Sequence, residues 1–382
     1  MDVTLILNYS KTRTTGGPTG VAYNTVEGLK KNSRRLEKED IHIHILSTAG
    51  TSLQPVYEKD EAYSTISFEY FRQLVPTSLF SDIHYYLLMK KMKGRIDLLH
   101  SHDVSGAVVG TLLNIPTILT LHGMIWKEKY YSPDLYSRFA SAMKIRRFRY
   151  VSSRLKKLIA ISPYVIDEMG QFLKTAIPDT EVIENPLSDA FFGQEKREKE
   201  GLILYPASIY SLKNQHMLVE ALYRVKKEHS MFHCVLAGPV VDAGYYRDLK
   251  TLIHTYNLEK NISLAGNASL DQMLALYAEA SIMVMTSCQE TAPLVISEAM
   301  ATGTPVIASR ISGIPFMVSE NTSGFLINPK DPEDIAHKII TLLDDRPMRK
   351  KFGEESRRIA ASRWKNDVII NKLINAYTQV SV

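Results

Sequence analysis

Short apolar runs of strand character alternate with longer stretches of helical period along nearly the whole chain, and this alternation constrains the fold more than any other feature. The first half reads VTLILN (3–8), a helix from about Val21 to Glu37, IHIHIL (41–46), a helix near 81–94, IDLLH (96–100), a short helix at 105–113, TILTL (117–121), a basic helix, and KLIAIS (157–162) with another helix behind it. The second half repeats the scheme: LILYPAS (202–208), a helix at 214–228, FHCVLAG (232–238), a helix at 243–256, ISLAG (262–266), a helix at 269–279, IMVMTS (282–287) and TPVIAS (304–309). Strands separated by helices need crossover connections, which build a mainly parallel sheet with helices on both faces. The expected class is α/β, with two doubly wound Rossmann-like domains in tandem. Composition shifts most abruptly at GQEKREKEG (193–201), a linker-like charge run, so the boundary is placed near residue 190, giving domains over 1–188 and 189–363. A chain of 382 residues with 45% hydrophobic content is long enough for two cores. In such a protein a ligand is expected in the cleft between the domains.

Several classes of protein fit poorly. Cys234 and Cys288 are the only cysteines, which disfavours a disulfide framework or a cysteine metal site and suits a reducing cytoplasm. No basic leader precedes VTLILN, so no secretory signal is expected. Val104 to Ile125 carries no charged residue, but Asn114 and Pro116 break it into a helix, a turn and a strand, so no transmembrane helix is expected. The formal charge of +5 is unevenly spread: eight of the twenty residues from Arg138 to Lys157 are Lys or Arg. Phe139, Met143, Phe148, Val151, Leu155 and Leu158 recur there at helical spacing. The run reads as a basic amphipathic helix in which Arg146, Arg147, Arg149, Lys156 and Lys157 are candidates for an anionic membrane or a phosphate-bearing acceptor; an ordinary core face with solvated charges is the competing reading. No nucleic-acid-binding signature occurs, and no nucleic-acid partner is expected.

The chemistry-bearing motifs sit where strands end. Glu290 and Glu298 stand eight positions apart in SCQETAPLVISEAMATGTPVIAS, the first in the turn after a buried strand and the second inside the following helix, whose first turn takes Pro293 and whose stop is Gly303. In a parallel sheet the turn after a strand's carboxyl end is where ligands bind, and two carboxylates there can grip neighbouring hydroxyls, which suits a sugar. Lys213 lies in the turn after LILYPAS, beside a helix amino terminus, well placed to neutralise a diphosphate. His122 ends the strand TILTL, where an imidazole can hydrogen-bond hydroxyls or act on a proton. GGPTG (16–20) opens the first helix, and Gly16 and Gly17 let backbone amides approach an anion or a sugar oxygen. Its spacing is not that of a dinucleotide fingerprint, so no nicotinamide or flavin is expected. The histidines of IHIHIL and of HSHD (100–103) lack a clear third ligand, and no D-x-D occurs, so no metal is expected.

Taken together, these residues resemble the family-4 glycosyltransferases of the GT-B fold over nearly the whole chain. The resemblance rests on GGPTG, LHGM (121–124), AIS (160–162), VIENP around Asn185, the SLKNQ turn with Lys213, LAGP (236–239), ISLAGNAS (262–269), the Glu290 block, and the G-I-P and SGFLINP segments after it. It implies a retaining, metal-independent, hexosyltransferase-type enzyme that moves a sugar from a nucleotide-diphospho donor, UDP- or GDP-linked, to the hydroxyl of a glycan or lipid-linked acceptor, without a cofactor. Lys213 would meet the diphosphate. Glu290 would hold sugar hydroxyls, with the backbone of Thr291, Ala292, Pro293 and Leu294 nearby, and Glu298 would hold the ribose. Gly266 and Asn267 would face the base, Gly16 and Gly17 the donor or acceptor, and His122 the transferred sugar, so that Glu290, His122 and Lys213 are the candidate catalytic residues. The first domain would bind acceptor, the second donor, and a helix from about Trp364 to the end would pack back on the first domain. The location implied is cytoplasmic, with peripheral attachment at the inner membrane face.

Two positions depart from the family pattern. Ser208 stands where an arginine often partners the lysine, leaving Arg310 or the first domain to supply charge, and Phe316 replaces an acid after G-I-P. The alternatives are a nucleotide-sugar epimerase of the same fold and a non-catalytic nucleotide-sugar or membrane-binding protein.

Overall fold

The sheet of the amino-terminal half grows outward from a central strand in two directions. The computed structural model describes residues 1–11, 17–50, 56–59, 64–70, 79–128, 135–173, 177–229 and 231–380. In order, this half contains β1 (Asp2–Leu7), α1 (Gly17–Lys31), α2 (Ser33–Lys38), β2 (His42–Ser47), β3 (Val56–Lys59), β4 (Ile66–Tyr70), α3 (Leu79–Met92), β5 (Leu98–Ser101), α4 (Val104–Leu112), β6 (Thr117–Leu121), α5 (Ile125–Glu128), α6 (Leu135–Ser152), β7 (Lys157–Ala160), α7 (Pro163–Leu173) and β8 (Thr180–Val182). The sheet order is β3-β4-β2-β1-β5-β6-β7-β8, parallel throughout except where β3 pairs antiparallel with β4. The second half contains α8 (Asp189–Phe192), β9 (Leu202–Pro206), α9 (Gln215–Glu228), β10 (His233–Ala237), α10 (Ala243–Thr255), β11 (Ile262–Gly266), α11 (Leu270–Glu279), β12 (Ile282–Met285), α12 (Leu294–Ala301), β13 (Val306–Ser309), β14 (Gly324–Ile327), α13 (Pro332–Asp344) and α14 (Arg346–Arg363). Its all-parallel sheet runs β11-β10-β9-β12-β13-β14. A final helix, α15 (Asn366–Val380), closes the chain.

The chain forms two compact units, Met1–Pro186 with Asn366–Val382, and Leu187–Lys365. In the first, alternate residues of β1 face two different cores. Val3, Leu5 and Leu7 pack with Val26 and Leu29 of α1 and with Ile370, Leu373 and Ile374 of α15, whereas Ile6 packs with Tyr85 and Met89 of α3 and Val109 of α4. Helices on both faces and strands buried on both sides are the doubly wound arrangement the alternation implies. The second unit repeats it: Ile203 and Tyr205 face the α9, α10 and α13 side, and Leu202 and Leu204 face the α11 and α12 side. The helix α15 reaches α1 at very close range, because Gly28 has no side chain. A Cβ there would stand 1.9 Å from Asn366 Oδ1 and 2.5 Å from Ile370 Cγ1.

Three local readings are corrected. The helix expected over 21–37 is two helices, because the Asn32 amide group donates to the Gly28 carbonyl at 2.9 Å and ends α1 before Ser33 starts α2. The basic helix stops at Ser152, and Lys157 is the first residue of β7, paired in register with Ile118. The charge run 193–201 is fastened to the second unit rather than spanning solvent. Glu198 accepts a hydrogen bond from Nε of the buried Arg349 at 2.9 Å and ion-pairs with the same guanidinium at 2.7 Å, and the Lys196 ammonium reaches the Tyr277 carbonyl at 3.0 Å and Thr304 Oγ1 at 2.7 Å. The uncharged run from Val104 resolves into α4, a turn with Asn114 at φ +55°, and β6. Among the described residues no helix is long and apolar enough to cross a membrane.

Candidate functional site

Strand order in the second unit reverses between β9 and β12, and the turns after these two strands lie side by side. In a parallel sheet this is where loops part and leave a crevice at the carboxyl ends. The two turns are laced together. Tyr205, buried at the end of β9, donates its hydroxyl to the Lys213 carbonyl and lies 3.2 Å from Thr286 Oγ1, just beyond β12. Thr286 Oγ1 in turn donates to the Asn214 carbonyl at 2.9 Å, and the Cys288 amide donates to the Leu212 carbonyl at 2.8 Å. Asn214 takes the left-handed conformation, φ +57°, that lets α9 start directly after Lys213, and its side-chain amide donates to the carbonyls of Thr286 at 3.1 Å and Pro329 at 2.8 Å.

This lacing brings Lys213 and Glu290 together although 77 residues separate them. The ammonium donates to Glu290 Oε1, with 18% of the lysine side chain and 12% of the glutamate side chain exposed. Burial disfavours the lysine's charge, but the Glu290 carboxylate, with Tyr210 beside it, outweighs burial and holds the Lys213 pKa above the ordinary lysine value. Glu290 is fixed from its backbone side as well, its carbonyl accepting from the Gly313 amide at 3.1 Å. Thr291 and Ala292 are half-buried in the connecting turn, Pro293 is the N-cap of α12, just outside the first turn expected for it, and Leu294 is the first helical residue. Gly303 ends the α12 segment at φ +74°. Glu298 is buried inside α12, 8% exposed, and accepts from the Tyr277 hydroxyl at 2.9 Å. Gly266, at φ +66°, closes β11 and accepts from the Gly238 amide at 2.7 Å; Asn267 beside it is exposed.

The positions that depart from the family pattern are also resolved. Ser208 is half-buried and its carbonyl accepts from the Gln215 side chain at 2.9 Å. Arg310 is committed elsewhere, its guanidinium donating to Glu320. Phe316 is 39% exposed in a short turn, Ile314–Phe316, whose preceding Gly313 holds the Glu290 carbonyl.

In the first unit, strand order reverses between β1 and β5, and His102 follows β5 with its amide on the Ile6 carbonyl at 3.0 Å. His122, half-buried after β6, shares a 2.9 Å hydrogen bond between its Nε2 and His102 Nδ1. The His100 ring lies 4.9 Å from that of His102 and bonds Tyr377 of α15 through Nδ1 at 2.8 Å and Thr120 through Nε2 at 2.7 Å. Burial lowers all three histidines: His100 to about 3, with help from His122; His102 well below its ordinary value; His122 to about 4. At neutral pH this is a chain of neutral imidazoles, suited to hydrogen bonding rather than to carrying charge. The sequence marks His102 only through HSHD (100–103), and among the described residues no three His, Cys, Asp or Glu side chains form a metal-binding group. Gly17 opens α1 at φ +59° and is exposed; Gly16 lies outside the described residues.

The basic cluster does not form one surface. Arg146, Arg149 and Lys156 are exposed, but Arg147 is ion-paired to Asp82 at 2.8 Å. Lys157 is buried in β7, which lies between β6 and β8, against Glu181 at 3.2 Å and Asp179 at 3.3 Å. Phe139, expected on the apolar face, is 65% exposed.

Two doubly wound parallel units with ligand-type residues at their switch points define a protein of the GT-B class. The chain belongs to the glycosyltransferases of family 4 and group 1: residues 29–191 match the profile described as Glycosyltransferase Family 4, and residues 188–359 that described as Glycosyl transferases group 1. It is 28% identical over 273 residues to an uncharacterized glycosyltransferase of Methanocaldococcus jannaschii, covering 69% of this chain and 70% of the relative. It is 25% identical over 286 residues to the D-inositol 3-phosphate glycosyltransferase of Corynebacterium glutamicum, covering 70% and 68%. Among solved structures, a glycosyltransferase from Rickettsia africae superposes with a TM-score of 0.75 at 20% identity, covering 99% of this chain and 98% of the other. Anabaena HepE in complex with UDP superposes with a TM-score of 0.74 at 18% identity, covering 99% and 100%. Both family profiles describe glycosyl transfer, which does not favour the epimerase or binding-only alternatives.

Proposed function

We propose that the chain is a hexosyltransferase-type enzyme that moves a sugar from a nucleoside-diphosphate donor, UDP- or GDP-linked, to an acceptor hydroxyl of a glycan or lipid-linked sugar, with retention at the anomeric carbon and no divalent cation. The observation that carries the reading is the half-buried Lys213–Glu290 pair at the β9/β12 switch, one cation for a diphosphate and one carboxylate for hydroxyls. Structures of Anabaena HepE with UDP and with UDP-glucose support a nucleotide sugar as the donor.

In this reading the second unit binds donor. The diphosphate takes Lys213 and the backbone amides at the start of α12. Glu290 exchanges its lysine partner for sugar hydroxyls, Glu298 holds the ribose, and Gly266 and Asn267 line the base. The bond between the anomeric carbon and the phosphate oxygen breaks as the acceptor oxygen bonds the same face of that carbon. The acceptor's proton passes to the departing phosphate oxygen, whose charge Lys213 stabilises, so no enzymic nucleophile is consumed. The first unit binds acceptor, with neutral His122 hydrogen-bonding the transferred sugar and the Gly17 turn near the donor or acceptor. Peripheral attachment to an anionic membrane then rests on Arg146, Arg149 and Lys156. Unchanged partitioning onto phosphatidylserine vesicles after charge reversal at the two arginines would remove it.

The deciding experiment incubates the purified chain, in chelator, with UDP- and GDP-sugars and a crude membrane-lipid extract, and measures released nucleoside diphosphate against Glu290→Ala. Release from one donor, lost in the variant, supports the reading. Release that persists undiminished in the variant, or that requires a divalent cation, overturns it.

A further inference from the structure

Glu298 sits inside a helix at 8% exposure, where a carboxylate with several rotamers open to it has to be held to serve as a ligand. The residue that holds it was invisible in the sequence. Tyr277, on α11 and 0% exposed, donates its hydroxyl to Glu298 Oε2 at 2.9 Å. Tyr277 is itself held by neighbours at its ring and at its backbone. Its ring packs edge-on against Phe191, with centroids 5.9 Å apart at 72°. Its backbone carbonyl accepts from Thr304 Oγ1 at 2.7 Å and from the Lys196 ammonium at 3.0 Å. Thr304 lies just ahead of β13, and Lys196 comes from the charge run fastened to this unit, so two separate segments hold the backbone of Tyr277 while Phe191 packs its ring.

We infer that Tyr277 is a positioning residue: its hydroxyl aims the Glu298 carboxylate at the ribose diol of the donor, and so sets a preference for ribonucleotides over 2′-deoxyribonucleotides. The inference rests on the role proposed above for Glu298. A hydroxyl-to-carboxylate bond between two buried groups is charge-assisted and directional, and it orients one oxygen while defining the plane in which the other lies. A site built to bond a substrate hydroxyl rejects the analogue that lacks it, because its own polar group is left without a partner. That rejection weakens when the carboxylate is free to turn.

The test is calorimetric binding of UDP and GDP and of their 2′-deoxy counterparts to the full chain, for wild type, Tyr277→Phe and Glu298→Ala. The tyrosine substitution keeps the ring and its packing and removes only the hydroxyl. The readout is the ratio of dissociation constants, deoxy over ribo, taken on a single preparation, so any unfolded fraction cancels. Wild type should favour the ribonucleotide. Glu298→Ala should bring the ratio close to one, and Tyr277→Phe should lower it by roughly tenfold, or to one if it starts lower. If Glu298→Ala leaves the ratio unchanged, the ribose role of Glu298 fails and the inference with it. If Glu298→Ala collapses the ratio while Tyr277→Phe keeps it, the inference alone is overturned.

Discussion

Lys213 and Glu290 should prove to be coupled in stability and indispensable in activity, and a double-mutant cycle separates the two. Removing one member of a buried ion pair strands the other charge in a poorly solvated place, at a cost of about 3–5 kcal/mol when burial is complete. Here 18% and 12% of the two side chains remain exposed, so water relieves part of that cost and about 2–3 kcal/mol is expected for Lys213→Ala or Glu290→Ala. For a unit of this size each kcal/mol lowers the melting temperature by about 2–4 °C, so each single variant should melt about 4–12 °C early. The double variant removes both charges and strands neither, so it should melt well above the sum of the two losses, with a coupling of roughly 1–3 kcal/mol. Activity should behave oppositely: each single variant and the double lose about two to three decades of turnover. Scanning calorimetry at fixed salt gives the cycle, and nucleoside diphosphate release gives the rates. Strictly additive stability losses, or near-normal turnover in both single variants, would refute the reasoning.

Three further outcomes follow from buried groups. Burial lowers the Lys196 pKa to about 7, with Arg349 and Arg357 adding to the effect and Glu198 opposing it. Between about pH 7 and 10.5 the unfolded chain therefore carries a proton there that the folded chain lacks. Stability of the second unit should rise with pH across that window, by up to about 1.4 kcal/mol per pH unit, and this component should vanish in Lys196→Met melts. The histidines act in the acid range: with His122 lowered to about 4 and His100 to about 3, both unfolded-state imidazoles bind protons first as pH falls below about 6.5. The first unit should lose stability from about pH 6.5 down to 4, and His100→Gln should flatten that dependence in melts across the same range; an unchanged slope would show that His100 does not titrate as described. Gly28→Ala places a methyl 1.9 Å from Asn366 Oδ1 and 2.5 Å from Ile370 Cγ1, so these side chains, or α15 with them, must shift; a loss of about 1–3 kcal/mol is expected in denaturant unfolding, with faster amide exchange in α15, and wild-type stability would refute the close contact.

The fold was legible because its signal is periodic. Strands such as VTLILN and TILTL, set between helical stretches, specify crossovers and hence parallel sheets, and both units are doubly wound as expected. Local breaks were harder to see. Apolar spacing continues past Asn32 to the buried Leu36, so nothing in the period marks the restart there, and only the asparagine's habit of bonding a nearby carbonyl does. The basic run from Arg138 to Lys157 hid a change from helix to strand, since charge content says nothing of backbone period; KLIA, apolar after its lysine and paired with β6, carried that information. In the site, Glu290, Glu298 and Lys213 could be named because each follows a strand. Tyr205, Tyr277, His100 and His102 act through partners 8 to 277 residues away in sequence, and all but the nearest, Lys213, come within reach only once strand order is known.

Strand order therefore selects which of the nominated residues can work together. Lys213 and Glu290 are neighbours because the chain, after β9, adds β10 and β11 on one side and then returns to lay β12 on the other. Had the strands been laid down in one direction, β12 would not border β9 and the ion pair could not form. The first unit makes the same reversal at β1 and β5, which sets the His102 amide on the Ile6 carbonyl, with His122 at the end of the next strand. In each unit the polar side chains gather at the one place in the sheet where adjacent connections leave in opposite directions and expose strand ends. Ser208 sharpens the consequence for the second unit. With no arginine at that position and Arg310 bonded to Glu320, Lys213 is the cation fixed at the switch, and the hydroxyl of Tyr205 and the side chain of Asn214 hold its turn in place. The charge on which the proposed chemistry depends is therefore set by a network that no single motif contains, and that network exists only because β9 and β12 are adjacent.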